Sequence, residues 1–69
     1  MIGQIFENKN GRFQIDTKEL AAGDTLEVLI VDGRDGQARW IQITVEQNND
    51  GYYLLGLFGY SPIGLFGRL

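Results

Sequence analysis

At 69 residues the chain has room for one domain, spanning 1–69, of a size that buries only roughly 60% of the surface its unfolded form exposes. Histidine and cysteine are both absent, which excludes disulfide staples and the usual structural zinc sites and leaves the core to aliphatic and aromatic packing. A hydrophobic content of 43% with 22% charged residues is globular rather than disordered, and a net charge of −3 with scattered Lys and Arg disfavours a generic polyanion-binding surface.

Met1 is followed by Ile2-Gly3-Gln4-Ile5-Phe6-Glu7, with no basic n-region and no apolar run of signal-peptide length. No stretch reaches the ~20 residues a membrane span needs. A cytoplasmic protein with no membrane partner is therefore expected.

The first predicted element is a hairpin joining residues 2–7 to residues 12–15 through Asn8-Lys9-Asn10-Gly11. Asn-Gly accepts the positive φ angles that a tight turn imposes. Asp16 then stands as an N-cap with Glu19 three residues on, in capping-box spacing, so at most one helical turn is expected before Gly23-Asp24 ends it. Residues 25–31 alternate, with Leu26, Val28 and Ile30 on one face, and residues 38–47 repeat the pattern with Ile41, Ile43 and Val45. Period two is the signature of a half-buried strand.

Asp32-Gly33-Arg34-Asp35-Gly36 and Asn48-Asn49-Asp50-Gly51 supply the next two loops. Residues 52–58 continue as a strand. Gly59-Tyr60-Ser61-Pro62 makes a turn, and residues 63–69 form a last strand able to pair with the first and close a barrel. The predicted fold is all-β: a small antiparallel meander of five or six strands curling into an SH3-like barrel. An open sheet completed by dimerisation is the alternative. Gly56-Leu57-Phe58-Gly59 recurs as Gly64-Leu65-Phe66-Gly67. Here these glycines are expected at bends and at close backbone approaches.

The ordered set Gly11-Arg12-Phe13, Gly23-Asp24-Thr25-Leu26-Glu27-Val28, Arg39-Trp40-Ile41, Asp50-Gly51-Tyr52-Tyr53-Leu54 and Gly64-Leu65-Phe66-Gly67-Arg68-Leu69 resembles a family of very short, uncharacterised β-proteins carried by prophages, plasmids and conjugative elements of Gram-positive bacteria. The resemblance spans most of the chain. It implies an accessory role in a mobile element and brings no catalytic residues with it.

Catalysis needs a positioned base, a nucleophile or a metal, and without His or Cys the candidates reduce to carboxylates, hydroxyls and lysines. Asp32 and Asp35 lie close together and could pair as acid and base, but they occupy a Gly-flanked hairpin loop, where a turn role accounts for them. The same loop lacks the alternating oxygen ligands of a calcium site and carries Arg34 among them. No catalytic residue, metal ligand or cofactor is assigned.

Alternation sends Trp40, Gln42 and Thr44 away from Ile41 and Ile43, and sends Leu29 and Val31 away from Val28 and Ile30. Two neighbouring strands thus carry apolar residues on both faces. The outer patch is either covered by the last strand or offered to a partner. The expected partner-binding residues are Leu29, Val31, Trp40, Tyr52, Phe58, Tyr60 and Phe66, and the partner is another protein or a second copy of the chain. An alternative is a single-stranded nucleic-acid binder using Arg12, Arg39, Trp40, Tyr52 and Tyr53 as a stacking and cationic face, which the acidic balance disfavours.

Overall fold

The computed structural model describes residues 1–57 and 61–69. Seven strands lie among them: β1 (Ile2–Glu7), β2 (Phe13–Ile15), β3 (Lys18–Glu19), β4 (Thr25–Val31), β5 (Ala38–Asn48), β6 (Gly51–Leu55) and β7 (Phe66–Arg68). All ladders are antiparallel, in the order β3-β2-β1-β7-β4-β5-β6. The sheet curls into a half-barrel, and no pairing joins its two ends, β3 and β6, among the described residues.

The expected meander holds within each half but not across them. β1-β2-β3 and β4-β5-β6 are each built of successive hairpins, while β7 crosses back and inserts between β1 and β4. The last strand therefore does pair with the first, at Ile2↔Arg68, Gly3↔Gly67 and Gln4↔Phe66, but it joins two halves instead of closing a ring. A glycine pair explains how it fits. A Cβ added at Gly67 would lie 2.8 Å from Ile15 Cδ1 and 3.3 Å from Ile5 Cδ1, and one at Gly3 would lie 3.1 Å from Ile15 Cγ2. Ile15 packs over the bare backbone of both strands, a close approach that only glycine permits.

The alternating runs behave as their spacing requires. Leu26, Val28, Ile30, Ile43 and Val45 are buried, and Ile41 packs half-buried against them. Ile5, Phe13, Ile15, Leu20 and Leu54 complete the core. Each buried aliphatic side chain contributes about 1.5–3 kcal/mol by leaving water. No polar or charged residue is buried with them among the described residues.

Loop chemistry follows the sequence closely. Asn8 Oδ1 accepts from the backbone N–H of Asn10 and of Arg12, at 2.9 and 3.1 Å, and Gly11 takes φ 77°. Asp32 Oδ1 accepts from Arg34 N–H and Asp35 Oδ1 from Gln37 N–H, both at 2.8 Å, so both loop carboxylates hold their own turn. Asn48 Oδ1 does the same for Asp50 N–H.

The expected helical turn after Asp16 is not formed. Asp16, at φ 51°, and Thr17 make a two-residue turn, and Lys18–Glu19 pair back onto Gln14 and Ile15 as β3. Leu20 explains the outcome: fully buried, it must reach the core from an extended chain, and its N–H donates to Phe13 O at 2.9 Å. Packing overrides the local capping signal.

Glu19 is thereby turned from a cap into a clasp. Its Oε2 accepts from Asn8 Nδ2 at 2.7 Å and from Asn10 Nδ2 at 3.4 Å, while Oε1 accepts from Arg12 Nη1 at 3.2 Å. The Asn8 hydrogen bond first, then Asn10 and the Arg12 charge, hold its carboxyl below the ordinary value of 4.5. The charged form is favoured by folding, so this contribution is present above pH 4.5 and lost as pH falls through the lower folded-state value. The urea midpoint of the wild type is expected to exceed that of Glu19→Gln at neutral pH, with the gap closing in acid. A pH-independent gap would contradict this.

Candidate functional site: the outer face of the sheet

Cross-strand register gathers one row of apolar side chains on the convex side of the sheet. Leu29 of β4 lies opposite Trp40 of β5, and Val31 lies opposite Ala38. On β7, Phe66 and Arg68 point the same way, facing Gln4 and Ile2 of β1. Leu29, Val31 and Phe66 line one shallow depression. Toward β6, Leu55 stands opposite Thr44 on the same face. Val31 is 59% exposed, Ile2 62%, Phe66 47% and Leu55 49%. Trp40 and Leu29 are half-buried.

An ion pair sits beside the indole on this face. Arg68 Nε donates to Glu27 Oε1 at 3.0 Å, and the guanidinium carbon stacks 4.0 Å from the Trp40 ring centroid. The last strand thus covers the indole in part, with a cation rather than an apolar residue. Glu27 orients that cation, because its position on β4 is directly opposite Arg68.

Of the residues expected to bind a partner, Leu29, Val31, Trp40 and Phe66 come together here. Tyr52 does not. It shares a face with Leu54, packs against the core from the concave side and lies under Arg12, whose guanidinium carbon is 5.4 Å from its ring centroid. Grouping it with Trp40 is thus corrected by strand parity, since Tyr52 pairs with Gln47 while Trp40 lies an odd number of positions from it along β5. Phe58 and Tyr60 lie outside the described residues.

The five residues of the nucleic-acid alternative are likewise divided. Arg12 and Tyr52 sit on the concave side, and Trp40 and Tyr53 on the convex side. The cations are occupied: Arg12 pairs with Glu19 at 3.2 Å, and Arg39 with Asp35 at 3.5 Å and Asp32 at 4.0 Å.

Ile2, Leu55 and the Arg68–Glu27 pair belong to the face although alternation in β4 and β5 did not single them out. Ile2 and Ile5 are both apolar at an odd spacing, as are Leu54 and Leu55. Such odd spacing marks apolar residues on both sides of a strand.

The sequence matches the family described as "Domain of unknown function (DUF5348)" over residues 3–65. The chain belongs to this family. Within DUF5348, the match takes in Leu29, Val31 and Trp40 and stops just before Phe66 and Arg68. No curated protein and no solved structure matches the chain. No helix among the described residues is long and apolar enough to cross a membrane.

Proposed function

We propose that this DUF5348 chain is a non-enzymatic interaction module of a mobile element or phage, working in the cytoplasm, and that it binds a protein partner through the convex face around Leu29, Val31, Trp40 and Phe66. The observation that carries the reading is the row of exposed and half-buried apolar side chains across β7, β4 and β5, with a polar rim at Gln4, Gln42 and Thr44. An apolar patch so rimmed is characteristic of an association surface. Absence of His and Cys from the sequence supports the non-enzymatic part. The curled antiparallel sheet suits an SH3-like barrel, and the mobile-element setting rests on the sequence resemblance set out above.

A protein partner is favoured over single-stranded nucleic acid because the residues the alternative needs are split between the two faces of the sheet and both of its arginines already hold carboxylates. Phosphate contacts would require breaking those pairs.

Capture from host lysate with the wild type and with Trp40→Ala tests the reading. Truncating a central Trp of an interface costs about 2 kcal/mol or more, roughly thirtyfold in affinity. Loss of a specific captured protein is expected while the variant still melts cooperatively. A folded Trp40→Ala chain that retains every partner would refute the assignment of this face.

A further inference from the structure

We infer that the free edge of β6 takes an extended peptide segment of a partner as an added strand, with apolar residues at two alternate positions and a lysine or arginine at the next. This site is separate from the convex face and does not depend on that reading.

The two ends of the sheet are unequal. β3 is two residues long and carries Lys18, and a short charged edge resists further pairing. β6, at the other end, runs for five residues, Gly51–Leu55, with no charge and no proline to blunt it. Its backbone is also presented outward. Val45 N–H donates to Asp24 O and Val45 O accepts from Gly23 N–H, both at 2.8 Å, so the polar groups of Val45 point away from β6. Leu54, opposite Val45, therefore turns its own N–H and C=O away from β5, and alternation does the same at Tyr52. Leu57 N–H takes Leu54 O at 3.3 Å, whereas the N–H and C=O of Tyr52 and the N–H of Leu54 have no backbone partner among the described residues.

The space beside that edge suits a strand. One cleft is lined by Tyr52, Tyr53, Leu54 and Leu55 together with Phe13 and Pro62. Consecutive residues of a strand point to opposite faces, so a cleft that touches all of Tyr52 to Leu55 runs along the edge and not over either face. Phe13 and Tyr52 also line the neighbouring depression, which adds Glu7 and Asp50. The groove thus passes from an apolar end to an acidic one. Arg12 is held by Glu19, and no ion pair among the described residues engages Glu7 or Asp50.

These features select the occupant. Outward main-chain groups call for an extended backbone, and pockets for alternate side chains set its sequence. In antiparallel pairing, the peptide residues opposite Leu54 and Tyr52 face Phe13 and are apolar. The next residue on that face arrives at Asp50 and Glu7 and is cationic. The β6 of a second copy carries no cation and leaves that end unanswered, and a nucleic acid brings phosphates to two carboxylates.

The probe is the peptide acetyl-Val-Thr-Val-Thr-Lys-amide, titrated into the isotope-labelled full chain and followed by amide NMR. Saturable binding in the micromolar to millimolar range is expected, with hydrogen exchange of the Tyr52 and Leu54 amides slowed about tenfold or more at saturation. N-methylation of the second Val, whose N–H meets Tyr52 O, is expected to weaken binding about tenfold, whereas N-methylation of the first Thr, whose N–H faces away, leaves it within about threefold. Asp50→Lys, at an exposed turn position, is expected to weaken binding about threefold or more and to flatten its salt dependence. If Asp50→Lys fails to melt cooperatively, Glu7→Lys replaces it. No binding up to millimolar peptide overturns the inference, as does binding that leaves the Tyr52 and Leu54 amides unprotected or that treats the two methylated peptides alike. Unchanged affinity in the folded charge variant overturns the cationic position. None of these results alters the Trp40-dependent capture that tests the convex face.

Discussion

Deleting residues 64–69 is expected to unfold the whole chain, not merely to shorten its sheet. β7 is only three residues long, but it bonds to β1 on one side and to β4 on the other. The two halves of the sheet have no other ladder between them among the described residues. Without β7, Ile5, Ile15 and Val28, now at most 1% exposed, lose the backbone that covers them. Isolated three-stranded pieces of this size hold little apolar surface, and neither half has a cysteine with which to form a stabilising disulfide. Far-UV circular dichroism should lose its cooperative thermal transition, and amide proton shifts should collapse toward random-coil values. A truncated chain that still melts as one unit would show that the halves dock without their connector.

Gly67→Ala is expected to destabilise by about 1–3 kcal/mol, the range for forcing an extra methyl group into a filled core. The new Cβ would sit 2.8 Å from Ile15 Cδ1. That methyl is the far end of a side chain, but Ile15 is fully buried and Ile5 Cδ1 and Cγ1 block retreat at 3.3 Å from the same point. For a domain of this length, each kcal/mol corresponds to about 4–8 °C in melting temperature. The mechanism makes a sharper statement about a pair. Ile15→Val removes Cδ1 and alone costs about 0.5–1.5 kcal/mol. Combined with Gly67→Ala it should cost less than the two single effects together, since the valine vacates the space that the alanine needs. Additive losses would place the strain in the backbone of β7 and not in this contact.

Much of the fold was legible because its signals are local. Asn8-Lys9-Asn10-Gly11, Asp32 through Gly36 and Asn48 through Gly51 hold their turns with side-chain oxygens at the positions those residue types suggest. Leu26, Val28 and Ile30 alternate inward as written. The insertion of β7 was not legible, because a three-residue strand with two different neighbours leaves no periodicity of its own; its cue is the glycine that Ile15 covers. The segment at Asp16–Glu19 misled, because capping-box spacing is a local preference and Leu20 answers to the core. At the candidate site, Leu29, Val31 and Trp40 follow from parity along two strands. Tyr52 was misplaced because its parity is set by the β5–β6 register, which the sequence of the loop between them leaves free by one residue. The Arg68–Glu27–Trp40 stack joins residues up to 41 positions apart and could not be read before the strand order was known.

The central place of β7 has a consequence for the order of events at the ribosome. Every other strand is synthesised before the one that unites them, so the two hairpin groups emerge as unsealed pieces whose apolar surfaces wait for residues near position 67. Closure links Ile2 to Arg68, almost the full span of the sequence. Such long-range pairing is slow to form. The nascent chain therefore completes its fold only after release of that segment from the exit tunnel, and until then it presents its sticky edges to whatever chaperone stands nearest.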